Sequence, residues 1–311
     1  MPESTEEGFD MGFLGDGDKF KIETPIIQDN QYELIDYTHF STFFNQDRRL
    51  ALYCACNIPK HDQRIDIERP KKFRKDTNSL KKEEQVGDDF YKCKENDHPV
   101  INNKNLLDRG HVIRREYPQW GTKQRAEIAS KETFFFTNIA PQHYLLNQGD
   151  WKKLEDYVID KVQNKVSVLS GCIFQESDPV AVYTGHESKE VKNLHIPLKF
   201  WKVVYYVKNN QLHRIGFVLS QEMALKKLDF IYFPSDRVRS KAFVKDPFSD
   251  LDEDLIPYIV DVDAIEFAAS LTFTPAIENI NSGETRKSYF MNTENQSRYA
   301  RFSLNLLENL L

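Results

Sequence analysis

The sequence predicts an α+β fold in which helices flank a central, mostly antiparallel sheet. Its first support is a set of apolar, β-rich runs, which fall at residues 50–55, 166–174 and 180–183. Its second is a hairpin signal, because residues 201–207 and 214–219 can pair across Asn209-Asn210.

One strongly amphipathic helix is the third observation. It opens at Asn147 and places Trp151, Leu154, Val158 and Val162 at helical spacing. An apolar face of this kind packs on a sheet.

The other elements follow in chain order. Residues 42–44 lead into the first strand, and residues 60–82, with nine Lys/Arg against four Asp/Glu, predict a long surface loop. We also expect short helices at residues 126–130 and 265–271, and a buried strand at residues 133–139 that Pro141 ends.

The 311 residues divide into three parts by composition. Residues 1–18 predict a flexible acidic arm, residues 19–285 a single domain, and residues 286–311 an amphipathic helical tail. The apolar stripe of the tail would dock on the core or form a homodimer contact.

Composition limits the class of protein. With 40% apolar and 13% aromatic residues, the chain can bury a core. The net charge of -6 is unlike that of a nucleic-acid binder, but such binding depends on local patches. Without an eighteen-residue apolar run or a signal or transit segment, we expect a cytoplasmic protein that does not enter membranes. The four cysteines, Cys54, Cys56, Cys93 and Cys172, indicate buried thiols rather than disulfides or a zinc site.

One stretch concentrates the polar residues that could perform chemistry. It holds Asp108-Arg109-Gly110-His111, then Asn138, then Asn147 and Glu155 on the predicted helix. The order of a strand with His, a second strand and a helix with a polar start is a ββα unit. A histidine with a pKa of about 6.5 is suited to act as the general base in phosphodiester hydrolysis. A single Asn can hold Mg²⁺ if waters and phosphate complete its shell, and an arginine can bind the phosphate.

Each of these residues also has an ordinary structural interpretation. His111 could be a structural or surface histidine, and Asn147 only a helix N-cap. Glu155 could be an exposed helix glutamate, and Arg109 an ion-pair partner of Asp108. The chemical hypothesis therefore depends on their co-occurrence.

Two segments carry a resemblance to a known family. Residues 106–116 read LLDRGHVIRRE, and residues 134–158 read FFFTNIAPQHYLLNQGDWKKLEDYV. The DRGH tetrad, the N-x₈-N spacing and LNQGxW followed by LE resemble the DNA/RNA non-specific endonucleases, which include mitochondrial endonuclease G. The resemblance implies a ββα-metal nuclease core.

The resemblance also implies roles for individual residues. His111 matches the general base and Asn147 the magnesium ligand. Arg109 matches a phosphate-binding arginine and Asp108 a carboxylate that shapes the site. Asn138 matches a site-orienting asparagine, and Glu155 an acid that holds a water molecule beside the metal.

Substrate contacts are assigned more loosely. Arg69, with Lys71 as its competitor, matches an upstream arginine of the family, and Arg74 lies in the same basic loop. Arg114 and Arg115 add two cations where many members have small apolar residues. Some relatives carry an arginine where this chain has Ile159, and Arg114 is our candidate to replace it. The alternative for the basic loop is a solvated surface.

Together these features predict a magnesium-dependent endonuclease, with Mn²⁺ able to substitute, that cuts DNA and RNA with little sequence preference. One alternative is the same nuclease as a regulated effector of defence or cell death, held inactive until it assembles or until an inhibitor or other regulatory partner is released. Others are a catalytically idle nucleic-acid-binding relative and a sequence-specific nuclease. We expect activity to fall below the ordinary histidine pKa of about 6.5, because His111 must be neutral to act.

Overall fold

The computed structural model describes residues 7–15, 17–27, 32–91, 106–160, 164–184, 191–226, 231–232 and 258–278. Its strands are β1 (Ile26–Ile27), β2 (Tyr32–Tyr37), β3 (Phe40–Asn45), β4 (Leu50–Ile58), β5 (Leu107–His111), β6 (Ile139–His143), β7 (Val166–Ile173), β8 (Val180–Thr184), β9 (Val191–His195), β10 (Lys199–Lys208), β11 (Gln211–Ser220), β12 (Ile231–Tyr232), β13 (Tyr258–Val260), β14 (Leu271–Thr272) and β15 (Ile277–Glu278). Its α-helices are α1 (Asp88–Tyr91), α2 (Lys123–Glu132), α3 (Trp151–Asp160), α4 (Glu222–Leu225) and α5 (Val262–Ala269).

The largest sheet has the order β13–β11–β10–β7–β4–β3–β2, and each neighbouring pair in it is antiparallel. Strand β15 adds to β11 in parallel. Smaller sheets form from β1–β14, β12–β8–β9 and β5–β6. This architecture confirms the predicted α+β class with a mostly antiparallel sheet.

The predicted hairpin is present as β10–β11, which pair from Lys199↔Ser220 to Lys208↔Gln211. Its two-residue turn places Asn209 at φ 49° and Asn210 at φ 61°. Asparagine tolerates this left-handed region better than most residues, and the turn matches the twist of the strands.

Both faces of the sheet are covered. Along β10, Trp201, Val203 and Tyr205 belong to one apolar cluster, which also includes Val262 and Ile265 of α5. The alternate residues Phe200, Val204 and Tyr206 belong to a second cluster, beneath α3. Helix α3 buries Trp151, Leu154 and Val158 there, as its spacing predicted, while Val162 lies outside the described residues. The sheet therefore supplies a rigid floor for α3.

The predicted strand at residues 133–139 is wrong. A 3-10 turn, Phe136–Asn138, occupies its end, and the strand β6 begins at Ile139 and contains Pro141. Proline cannot donate a ladder hydrogen bond. It is tolerated here because β6 pairs with only β5 among the described residues.

The helix start is also shifted. A π-helical turn, Leu146–Asp150, contains Asn147, and Gly149 interrupts it with non-helical angles of φ -96° and ψ -118°. The regular helix α3 begins at Trp151. Asn147 is therefore part of an irregular turn rather than a simple N-cap.

Residues 7–15 do not form the expected flexible arm. The Gly8 N–H donates to the Tyr37 carbonyl at 2.7 Å, and the Ile22 N–H donates to the Met11 carbonyl at 2.8 Å. Phe13 and Leu14 are buried in the cluster on the α5 side of the sheet. The composition of the segment did not predict this packing, because only two apolar side chains form it and acidic residues surround them.

The basic loop at residues 60–82 buries more than expected. Ile67, Asp76 and Leu80 are all below 9% exposed. The Tyr37 hydroxyl donates to Asp76 Oδ2 at 2.8 Å, which fixes the loop to β2. Its other charged residues remain on the surface.

Several other expectations have plain outcomes. Helix α2 is longer than predicted, and α5 spans 262–269 rather than 265–271. Cys54, Cys56 and Cys172 are buried free thiols, while Cys93 and the tail at 286–311 lie outside the described residues. No helix in the described ranges is both long enough and apolar enough to cross a membrane.

The buried N-terminal contact gives a stability prediction. Phe13 is 9% exposed and lies 5.5 Å from the Trp120 ring, so Phe13→Ala should lower the free energy of unfolding by about 3 kcal/mol. Urea denaturation measures this, with Met11→Ala as the control because Met11 is 39% exposed. Equal, small losses in both variants would mean that the segment is not packed in solution.

Candidate active site

The residues predicted to perform the chemistry, from Asp108 to Glu155, lie on a ββα unit. Strands β5 and β6 pair antiparallel, with Asp108 opposite Gln142 and His111 opposite Ile139. The π-helical turn then connects β6 to α3. This is the predicted order of strand, strand and helix.

His111 ends β5 inside an aromatic enclosure. Its ring stands edge-on to Phe134, 5.0 Å between centroids, and lies 5.5 Å from the Phe73 ring. Burial, assisted by the Arg69 cation, lowers the pKa of His111 to about 3. The imidazole is therefore neutral at neutral pH, and the pKa of His111 is not the ordinary histidine value of about 6.5 that we expected. Its buried Nε2 has no hydrogen-bond partner in the described part of the chain, so this atom can accept a proton.

Asn138 holds the loop that follows His111. Its Oδ1 accepts from the Ile113 N–H at 2.9 Å, and its Nδ2 donates to the carbonyls of Ile113 at 2.9 Å and Thr133 at 3.0 Å. Its backbone carbonyl accepts from the Val112 N–H. These contacts match an orienting role, since Asn138 touches the chain on both sides of the turn.

Asp108 orients Asn147. Its Oδ2 accepts from Asn147 Nδ2 and from Gln148 Nε2, each at 2.8 Å. Because the amide nitrogen of Asn147 is occupied in this way, its Oδ1 is the atom left for a cation. No hydrogen bond joins Asn147 to His111 within the described ranges, so a ligand would have to bridge them.

Arg109 does not pair with Asp108. Its Nε and Nη2 donate to Asp88 Oδ1 at 3.0 Å and 2.7 Å. Its guanidinium also lies 5.2 Å from the Phe73 ring and 5.5 Å from the Tyr91 ring. A phosphate at this position would share Arg109 with Asp88.

Glu155 is buried rather than exposed. The residue is 8% exposed, and its Oε1 lies 3.7 Å from Nζ of Lys202, a residue of β10. Burial raises the pKa of Glu155 to about 7, and the cations of Lys202 and Arg114 limit the rise. The helix-surface interpretation of Glu155 is therefore wrong.

Arg114 and Arg115 are neutralised by acids. Arg114 donates to Glu116 Oε2 at 2.8 Å and to Asp156 Oδ1 at 2.5 Å, and Arg115 donates to Glu116 Oε1 at 2.7 Å. The Arg114 cation lowers the pKa of Glu116 against the effect of burial. These two arginines are thus tied into a structural network, although Arg114 also acts on Glu155.

Arg69 lies beside His111. Its guanidinium is 5.3 Å from the centroid of Phe134, the ring that His111 also contacts. Arg74 stacks instead on Phe135, at 4.4 Å. The position of Arg69 favours it over Lys71 as the neighbour of the histidine.

A cavity of about 470 Å³ opens next to this arginine. Four cations line it, Arg69 and Lys71 from the basic loop and Lys123 and Lys131 from α2, together with three carboxylates. Among the described residues, none of the four cations has a carboxylate within ion-pair distance. We name these four cations the basic rim.

Sequence reasoning missed three contributors to the site. Phe73 covers both His111 and Arg109. Gln142 explains the glycine of the tetrad, because a Cβ on Gly110 would lie 2.1 Å from Gln142 Oε1. Lys202 carried one detectable signal, since it is a charged residue between Phe200 and Val204 in a strand with two buried faces.

The sequence is similar to known proteins. A family model described as DNA/RNA non-specific endonuclease matches residues 18–279. An uncharacterized protein of Sinorhizobium fredii is 33% identical over 198 residues, which cover 61% of this chain and 27% of that protein.

Mitochondrial endonuclease G of Bos taurus and of Homo sapiens are each 30% identical over 103 residues. That segment covers 32% of this chain and 32% and 33% of the two proteins. The matches therefore span about a quarter to a third of the length of these curated relatives.

A solved structure of an EndoG/EndoGI complex aligns with a TM-score of 0.49 and 16% identity, over 77% of this chain and 84% of that one. The family model covers most of the sequence, including the whole ββα unit. This chain belongs to the DNA/RNA non-specific endonuclease family.

Proposed function

We propose that this chain is a magnesium-dependent endonuclease that hydrolyses DNA and RNA with little sequence preference. One observation carries the proposal. A single ββα unit holds a neutral His111 with a free Nε2 and an Asn147 whose amide nitrogen is fixed by Asp108. The first residue can accept a proton, and the second can offer an oxygen to a hard cation.

The residues present fit Mg²⁺. Magnesium keeps several of its waters and needs few protein ligands, so the Asn147 Oδ1 can suffice with substrate phosphate. Within the described ranges no group of three or more His, Cys, Asp or Glu residues could hold a metal. One amide oxygen from Asn147, with phosphate and water oxygens, suits magnesium, or manganese as a substitute, better than a metal that requires a closed set of protein ligands.

The proposed roles follow from the contacts. Bound at Asn147, Mg²⁺ would neutralise charge on the scissile phosphate and on the leaving 3′-oxygen, which gives 5′-phosphate ends. His111 Nε2 takes the proton of the attacking water, while Asn138 keeps the His111 loop in place. Arg69 binds the phosphate from the exposed side. Arg109 uses Nε and Nη2 for Asp88, which leaves Nη1 for a phosphate oxygen.

We further propose that the basic rim receives the nucleic-acid backbone beyond the scissile phosphate. Its cations lack ion-pair partners among the described residues, whereas Arg114 and Arg115 are neutralised. Unpaired surface cations are those that displace counterions from a phosphate chain. Arg74 is a further candidate contact along the same loop, where its guanidinium lies over the Phe135 ring.

Regulation remains a second proposal. A nuclease of low specificity endangers nucleic acid in the cell that makes it, so an inhibitor or gating through a homodimer would protect that cell. The segment expected to form such a dimer, residues 286–311, lies outside the described residues. Constitutive cleavage by a purified monomer would exclude intrinsic gating and leave the inhibitor.

The first prediction concerns the base. His111→Ala should lower cleavage of supercoiled plasmid and of a structured RNA by about 10²–10⁴-fold, because no other group takes the proton. Wild-type cleavage should need Mg²⁺ and stop with EDTA. His61→Ala is the control, since His61 is exposed in another turn. Near-normal activity of a folded His111→Ala variant would rule out His111 as the base.

A second prediction concerns pH. His111 has a pKa of about 3 and stays neutral above pH 5, so it cannot cause loss of activity in mildly acidic solution. Glu155 has a pKa raised to about 7, and protonation removes the negative charge of the carboxylate that we propose holds a water molecule beside the metal. Cleavage rates should therefore fall as the pH decreases through about 7. A rate that stays level down to pH 5 would remove Glu155 as the controlling group.

The third prediction tests the basic rim. The double variant Lys123→Glu with Lys131→Glu should weaken binding of a catalytically inactive protein to duplex DNA. It should also reduce the slope of log Kd against log salt by about 2, because two phosphate contacts are lost. Lys19→Glu with Lys21→Glu, on the N-terminal segment, is the matched charge control. An unchanged slope in the rim variant would exclude these lysines.

A further inference from the structure

A fully buried lysine lies in the middle of the sheet. The side chain of Lys202 has 0% exposure, although its neighbours on the same face of β10 are the apolar residues Phe200 and Val204. Its Nζ donates to Ser170 Oγ at 3.3 Å, across the pair of strands β10 and β7. An ammonium group at such a depth loses its hydration, so it requires a compensating partner.

Glu155 is that partner. Its Oε1 lies 3.7 Å from Lys202 Nζ, and its side chain is 10% exposed. The same Oε1 accepts no hydrogen bond among the described residues, which leaves the ion pair as its compensation. The Trp151 and Tyr117 rings enclose the ammonium, at 4.6 Å and 5.5 Å from their centroids.

Stability alone does not explain this pair. Replacing a buried ion pair by apolar residues of similar size is often neutral or stabilising. The surrounding face of the sheet is apolar, so such a replacement would fit its environment. A role in the site accounts for the two charges better than stability does.

The other charges around Glu155 are already engaged. Arg114 is the second cation acting on it, but Arg114 also binds Glu116 and Asp156. Those two acids oppose a negative charge on Glu155, and Asp156 is further paired with Lys152. Lys202 faces Glu155 from the sheet, and Glu155 is its one ion-pair partner in the described part of the chain.

We propose that Lys202 is the positioning residue of Glu155, and that it fixes from the sheet side both the direction and the negative charge of this carboxylate. The pairing stands on the geometry, whereas its importance for cleavage rests on the proposed function. Lys202 acts through Glu155 and has no contact with substrate in this role.

The sign of the effect follows from electrostatics. Burial raises the pKa of Glu155, and the Lys202 cation opposes the rise. Removing that cation should raise the pKa of Glu155 further, by about 1–3, because an opposite charge 3.7 Å away has an effect of that size. A neutral Glu155 would then prevail at pH 7.

The direct test does not require catalysis. In metal-free protein labelled with ¹³C at the glutamate carboxyl carbon, Glu155 is assigned as the signal missing in Glu155→Gln. We expect the midpoint of the pH titration of this signal to move to higher pH in Lys202→Met. It should stay in place in Lys208→Met, the control from the end of the same strand. An unmoved midpoint in folded Lys202→Met overturns the proposal, whether or not the protein proves to be a nuclease.

Cleavage supplies a second readout. The acidic limb of the rate profile should move to higher pH in Lys202→Met, so that activity lost at pH 7 partly returns at pH 9. Lys202→Arg, which retains the charge, should keep the limb near its wild-type position. A uniform loss of rate with an unchanged limb in Lys202→Met would mean a purely structural lysine.

The reciprocal variant covers a failure to fold. If Lys202→Met does not fold, the ε-carbon of Lys202 is titrated in wild type and in Glu155→Gln. Loss of the Glu155 charge should make Lys202 deprotonate at lower pH, since Glu155 opposes the effect of burial on its pKa. Identical titrations in the two proteins would overturn the pairing.

Discussion

The hydrogen bonds of the Asn138 side chain hold together the part of the fold on which the site depends. Asn138 is fully buried, so each polar atom of its amide must find a partner. It finds them in the backbone of Ile113, which follows β5, and of Thr133, which precedes β6. This contact sets where β5 ends and therefore where His111 stands. An apolar residue of the same size would leave the backbone groups of Ile113 unpaired, and the turn after His111 would lose the hydrogen bonds that stabilise it.

Local sequence patterns predicted the main helix and hairpin correctly. The features that they failed to predict depend on contacts between residues far apart in the sequence. The face of α3 and the β10–β11 hairpin depend on residues close in sequence, and both were confirmed. Pro141 ended a strand in the prediction because proline usually does so. In the fold it lies inside β6, which pairs with only β5 in the ranges that the structure describes, and an edge strand tolerates proline. The partner of Arg109 is Asp88, 21 residues away, and no spacing rule selects it over the adjacent Asp108.

Charge was the property that sequence described least well. The chain carries a net charge of -6, and its densest cations near the tetrad are Arg114 and Arg115. Both arginines are paired with acids, Glu116 and Asp156, within the protein. The unpaired cations of the basic rim come from two separate segments, the loop after β4 and helix α2. Composition counts charges, but folding decides which of them are compensated within the protein.

Burial acts with opposite sign on the two titratable groups of the site, and this difference links the fold to the chemistry. It disfavours the cationic form of His111, so the imidazole is neutral at neutral pH, but the same burial weakens it as a proton acceptor. It also disfavours the anionic form of Glu155, which would be protonated at neutral pH if nothing opposed burial. His111 therefore needs no charged partner, whereas Glu155 does. The sheet beneath α3 provides one in Lys202, at the cost of placing an ammonium in an apolar layer. A core that keeps His111 neutral by burial must therefore also contain a cation that keeps Glu155 charged.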